Sequence, residues 1–138
     1  SGSSNSPLWA GGGVSFGPKP RSYEHKINIK ERRLAITTAL HHNFEKVTVT
    51  DSLSQDIDKI NTKSAISKLS SLLDLSTPKQ KKLIIVDKYD KQLALSIRNV
   101  KNIKLTSANA INVIDLLEPG QILVTENALK HICEVYSE

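Results

Sequence analysis

Apolar positions along the chain follow two patterns. Short runs rich in Val, Ile, Leu and Thr stand at Val47–Asp51 (VTVTD), Leu83–Asp87 (LIIVD), Ile103–Ser107 (IKLTS) and Gln121–Thr125 (QILVT). These read as strands, and the unbroken LIIVD run after a lysine cluster reads as a buried parallel one. Between them the period lengthens. Ile66, Leu69, Leu72 and Leu73 recur at helical spacing within Thr62–Leu75. Lys91–Arg98 predicts a short helix, Val113–Leu117 a helical turn closed by Pro119-Gly120, and Glu126–Tyr136 a last helix. Strands separated by helices predict an α/β fold with a mainly parallel sheet flanked by helices. There is no internal repeat.

Ahead of the first strand, Lys30–Leu40 runs without Gly or Pro and predicts another helix. Asn28 is its expected N-cap, with Glu31 three residues on as capping-box partner. Ile29, Ile36 and Leu40 share a face suited to packing inward, while Lys26, Lys30, Arg33 and Thr37 form a polar stripe on another.

Neither period survives in the first 23 residues. They hold five of the six glycines and three of the five prolines. Gly11-Gly12-Gly13 and Gly17-Pro18-Lys19-Pro20 interrupt both helix and strand. The expectation is an extended arm over residues 1–26, which takes a fixed conformation only against a partner, and an α/β globular domain over 27–138. Three aromatic residues, Trp9, Phe16 and Tyr23, lie in this arm, whose residues are too polar to bury them alone. Either they anchor the arm to its own domain or they stack on bases or sugars.

Charge sharpens the choice. Formal net charge is +5, and residues 1–35 carry six cations (Lys19, Arg21, Lys26, Lys30, Arg32, Arg33) against two anions. The other 103 residues carry thirteen against twelve. Nearly all the excess is on the arm and first helix, as suits a polyanion, an anionic membrane or an acidic partner. No apolar run approaches the roughly 20 residues of a membrane-spanning helix. The single cysteine, Cys133, excludes an internal disulfide and a thiolate metal cluster, and its neighbours Ile132 and Val135 predict a small, buried, apolar role for it. The chain has no methionine, which suggests a processed product or part of a longer one.

Other chemistry finds little support. The triple glycine lacks the following Gly-Lys-Ser/Thr and the preceding strand of a nucleotide-binding loop, and reads as a turn that lets backbone approach something closely. His41-His42 are adjacent at a helix end, where they cannot face one ion, and read as a C-terminal cap. His25 and His131 are isolated. Asp56/Asp58 and Asp87/Asp90 lie near strand or helix ends, where α/β enzymes place catalytic acids, but acids also favour helix N-termini. No nucleophile or base matches them, so neither an enzyme, a metal nor a cofactor is expected.

The string SPLWAGGGVSFGPKPRSY followed by HKINIKERRLAITTAL resembles the family of universal large-subunit ribosomal protein four. That family carries S-P-[IL]-W-x-x-G-G-V-x-F and then P-x-x-x-x-x-K-[VI]-N-x-K. Its later strand, R-N-[LV], N-V-x-D-L-L and L-V-x-T-x-x-A-L pattern is matched through LIIVDKYDKQLALSIRNV and NVIDLLEPGQILVTENALKHICE. The resemblance covers essentially the whole chain and is weakest at 44–60 and 76–82. GPKPR, KIN and RLAI are closest in form to bacterial and plastid members.

The resemblance implies a structural rRNA-binding protein of the large subunit, on a plastid ribosome, or in a bacterial cytoplasm or another organelle. Residues 6–23 match the returning half of a loop that penetrates the rRNA toward the peptide exit tunnel. It implies RNA contacts at Trp9, Gly11, Gly12, Gly13, Phe16, Lys19, Arg21, Tyr23, Lys26, Asn28, Lys30, Arg32 and Arg33. Ala10 and Ile29 stand where family members commonly carry basic residues, which reduces phosphate binding locally. The family's first strand, first helix and loop tip have no counterpart here. Neighbouring ribosomal proteins and a separate N-terminal fragment are therefore implied partners, and Leu83–Val86 or Ile122–Val124 are expected to be partly uncovered. The alternative from the residues alone is a regulatory or protein-interaction α/β module with a disordered basic tail.

Overall fold

The computed structural model describes residues 2–51, 53, 60–73 and 79–136. Four parallel strands form one sheet: β1 (Val47–Thr50), β2 (Lys82–Val86), β3 (Ile103–Ser107) and β4 (Gln121–Thr125), in the order β1-β4-β2-β3. The register places Val47 beside Ile122, and Lys82 beside both Ile103 and Gln121. Every strand thus begins at one rim of the sheet and ends at the other. The helices are α1 (Ile29–His42), α2 (Thr62–Leu72), α3 (Lys91–Ile97), α4 (Val113–Leu117) and α5 (Glu126–Tyr136).

The period-two rule sorts the core into two layers. Leu83, Ile85, Ile122 and Val124 point to the face covered by α1, α4 and α5, where they meet Ile36, Ala39, Leu116, Ala128 and Ile132. Ile84, Val86 and Leu123 point to the other face, against Ala65 and Leu69 of α2 and Leu93 and Ile97 of α3. A sheet with helices on both faces needs apolar residues on both, and that is why β2 and β4 read as unbroken apolar runs.

The expected elements form, with corrections. β3, α4, β4 and α5 have the predicted bounds; β1 and β2 end one residue earlier than the runs did. The expected uncovered segments are covered: Leu83–Val86 and Ile122–Val124 belong to the two central strands and are buried. Exposed apolar surface lies elsewhere, in an open groove of ≈ 600 Å³ lined by Leu34, Ala35, Val113 and Leu117 between α1 and α4. Ile29 faces outward, because α1 packs only through Ile36, Ala39 and the half-buried Leu40. Cys133 is exposed and not buried: the inward stripe of α5 is Ala128, Ile132 and Tyr136, and the next position turns away by about 100°.

Both ends of α1 differ from expectation. Asn28 is extended (φ −65°, ψ 147°) and its side chain makes no capping bond, so there is no capping box with Glu31. At the other end the cap is Asn43, not the histidines. Its fully buried amide donates to Ala39 O at 3.1 Å and to Leu116 O at 2.9 Å, tying α1 to α4. Its Oδ1 accepts from Lys46 Nζ at 2.9 Å.

Candidate nucleic-acid interface

Residues 2–28 contain no helix or strand, and nearly all are exposed. Local geometry replaces regular structure. Ser6 N donates to Ser3 O at 3.0 Å, Trp9 N to Ser6 O at 3.1 Å and Gly12 N to Trp9 O at 3.0 Å. Gly13 N then closes the loop on Asn5 O at 3.0 Å. The backbone from Asn5 to Gly13 folds back on itself, and Trp9 stands at the bend with 59% of its surface exposed.

This loop accounts for the glycines. Gly11 has φ +85°, a conformation costly for other residues. A Cβ on Gly12 would lie 1.9 Å from Ser6 O, which no side chain tolerates. The close approach expected of the triple glycine is therefore an approach to the arm's own carbonyls. Past the loop, Phe16 is 96% exposed and Tyr23 71%. The Arg21 guanidinium sits 4.5 Å from the Tyr23 ring centroid, and its Nε donates to the Tyr23 hydroxyl at 2.6 Å. The three rings do not pack into the domain core.

The cations continue without a break into α1. Lys19, Arg21, Lys26, Lys30, Arg32 and Arg33 are all exposed, and so is Asn28 between them. Lys30 and Arg33 are one turn apart, and Thr37 continues the stripe, with its hydroxyl donating to Arg33 O at 3.0 Å. The result is one exposed ridge bearing three rings and six cations. It offers π-faces and point charges in succession, the chemistry that single-stranded or looped RNA engages.

The other candidates are not drawn together. Asp90 caps α3, its Oδ1 accepting from Gln92 N at 2.9 Å. Asp87 follows β2 at the rim where the strands end, in a crevice with Asp51, Lys88, Thr125 and Asn127. Asp56 and Asp58 lie outside the described residues. His41 and His42 are exposed in the last turn of α1, and His131 Nε2 lies 2.6 Å from Asn109 Oδ1. Among the described residues no three His, Cys, Asp or Glu side chains are placed to hold a metal ion, and no helix is long and apolar enough to cross a membrane.

The sequence profile described as "Ribosomal protein L4/L1 family" matches residues 1–135. The chain belongs to that family. Proteins named "Large ribosomal subunit protein uL4" from Gloeothece citriformis and Acaryochloris marina are 42% and 44% identical to it over 137 residues, 99% of this chain and 64% of theirs. A protein named "Large ribosomal subunit protein uL4c" from Pyropia yezoensis is 43% identical over 137 residues, 99% of this chain and 63% of that protein. The chain thus spans somewhat under two thirds of the length of these relatives.

Two features of this family member escaped sequence reasoning. One is Asn43, whose partner Leu116 is 73 residues away, beyond any local pattern. The other is the Asn5–Gly13 loop, whose only sequence signal is the glycine run itself.

Proposed function

We propose that the chain is a structural constituent of the large ribosomal subunit that binds and stabilises rRNA and performs no catalysis. The carrying observation is the exposed ridge of residues 9–33 in a chain of this family. On this reading the phosphate contacts come from Lys19, Arg21, Lys26, Lys30, Arg32 and Arg33, which position the protein. Trp9, Phe16 and Tyr23 stack on bases or sugars, and Asn28 adds a neutral donor and acceptor. The Gly11–Gly13 backbone sets the bend that presents Trp9. Arg21 already lies over Tyr23, so cation and ring are pre-ordered for one nucleotide. The arm of residues 1–26 enters the rRNA in the direction of the exit tunnel while the domain of residues 27–138 stays outside it. Neighbouring ribosomal proteins complete the surroundings. The uL4c names and the 42–44% identities support a plastid ribosome, with a bacterial-type ribosome as the other setting.

The test is binding to refolded large-subunit rRNA as a function of salt. Replacing Lys30, Arg32 and Arg33 by Ala lowers the log–log slope by about 0.7–0.9 for each phosphate left without its cation. Trp9→Ala instead costs about 1–3 kcal/mol with little change of slope. An unchanged slope in the triple variant, or equal affinity for small-subunit rRNA, contradicts the reading.

A further inference from the structure

The two rims of the sheet differ in charge. Lys46, Lys79, Lys82 and Lys101 stand at or shortly before the strand starts, whereas Asp51 and Asp87 directly follow β1 and β2, and Asp90 caps α3. A crevice of ≈ 280 Å³ opens among these acids at the strand-end rim. Its position follows from the topology. β2 and β4 are neighbours in the sheet, yet the chain leaves β2 for α3 on one face and β4 for α5 on the other. The segments after the two strands therefore part, and open α/β sheets take ligands in the gap so formed.

Thr125, the last residue of β4, lines this crevice. Ile122 and Val124 face α1 and α5, so alternation turns Thr125, like Leu123, to the face where Leu53, Val86 and Leu93 form the crevice's apolar wall. Thr125 is 7% exposed, and its Oγ1 has no hydrogen-bond partner among the described residues. A buried hydroxyl left unpaired costs stability, and one that lines an open crevice marks a place where a donor arrives. The carboxylates of the exposed Asp51 and the half-buried Asp87 also lack a hydrogen bond or ion pair among the described residues. Asp90 uses one oxygen on Gln92 N.

We propose that this crevice receives an arginine side chain from a basic segment of a neighbouring protein. The stem lies along Leu53, Val86 and Leu93, as long cationic side chains lie on apolar surface. The guanidinium donates to the Asp51 and Asp87 carboxylates and to Thr125 Oγ1. Phosphate is repelled, because the lining carries three carboxylates and one cation, Lys88. A metal ion fits poorly, because no three acids or histidines among the described residues are placed to hold one. A planar cation with five donors can span acids that stand apart, which the compact ammonium of lysine cannot do. A protein is the favoured source, since proteins that share an RNA with this chain bring arginine to its phosphates. Only that choice of source rests on the rRNA reading above; the crevice does not.

The experiment titrates the full chain, without RNA, with N-acetyl-arginine amide and follows the amide resonances. Those of Lys88, Thr125 and Asn127 should shift saturably. Thr125→Val should weaken binding about tenfold, the scale of one hydrogen bond to a charged group, while the urea midpoint stays or rises because an unpaired buried hydroxyl is gone. Asp87→Asn, at a half-buried position outside the core, should weaken binding at least as much. N-acetyl-lysine amide should bind about tenfold more weakly than the arginine probe. No saturable shift at the crevice, or unchanged affinity in both variants, overturns the site. Equal or tighter binding of the lysine probe, spermidine or magnesium, with the same loss in the variants, reassigns the crevice to another cation and overturns the arginine proposal. Because no RNA is present, either failure leaves the rRNA reading standing, and failure of the chain to bind rRNA leaves the crevice standing.

Discussion

Asn43 shows what one side chain contributes. Its amide group ends α1 by bonding Ala39 O and joins that helix to α4 by bonding Leu116 O, while Lys46 satisfies its Oδ1. Removing it takes the side-chain donor from Leu116 O, while Ala39 O keeps the Asn43 backbone N–H at 3.3 Å; the one carbonyl left unsatisfied costs about 1–3 kcal/mol. Asn43→Ala is therefore expected to lower the urea midpoint markedly with an unchanged denaturant slope, and Asn43→Asp to do no better, since a carboxylate cannot donate to the two carbonyls. A midpoint within error of wild type would show that water replaces the bond to Leu116 O. Such a residue is invisible in sequence because Asn is also an ordinary turn former, and only the tertiary fold brings Leu116 to it. The same holds for Cys133. Its neighbours are apolar, but the 3.6-residue turn places it outside the stripe of Ala128, Ile132 and Tyr136.

At the scale of elements, the strands and helices were legible where local pattern and tertiary burial agree. β4 and α5 are examples, a run apolar on both faces followed without a break by an i, i+4 stripe. Legibility failed where a boundary depends on side-chain geometry, as at Asn28, or on the order of strands, which sequence neighbours do not set. That order puts β2 and β4 in the centre and leaves the four-residue β1 and the charged β3 at the edges. Short and charged edges are the usual protection against edge-to-edge pairing. In the arm, the glycines were legible as a turn but not as a closed loop. Gly12→Ala tests the loop: the Cβ meets Ser6 O, so the Asn5–Gly13 closure must open. The expected outcome is an rRNA affinity weaker by about 1–3 kcal/mol, the scale of local backbone strain, with no change in the unfolding midpoint of the domain. Unaltered affinity would mean that the loop conformation is not the one RNA meets.

The described residues form a three-layer domain, with groups of cations on the ridge that enters α1 and along the rim where the strands begin. The sheet and its two core layers set the distance between them. The ridge was legible in the sequence because its charge is contiguous along the chain. The rim was not, because Lys46, Lys79, Lys82 and Lys101 meet only once parallel pairing aligns the strand starts. The most direct measurement of the central claim is hydroxyl-radical footprinting of refolded large-subunit rRNA with the intact chain and with a chain lacking residues 1–23. The account predicts a discrete set of protected nucleotides that saturates with protein, part of which disappears when the arm is removed while the rest weakens. Protection that is diffuse, that is identical without the arm, or that appears equally on small-subunit rRNA would contradict it.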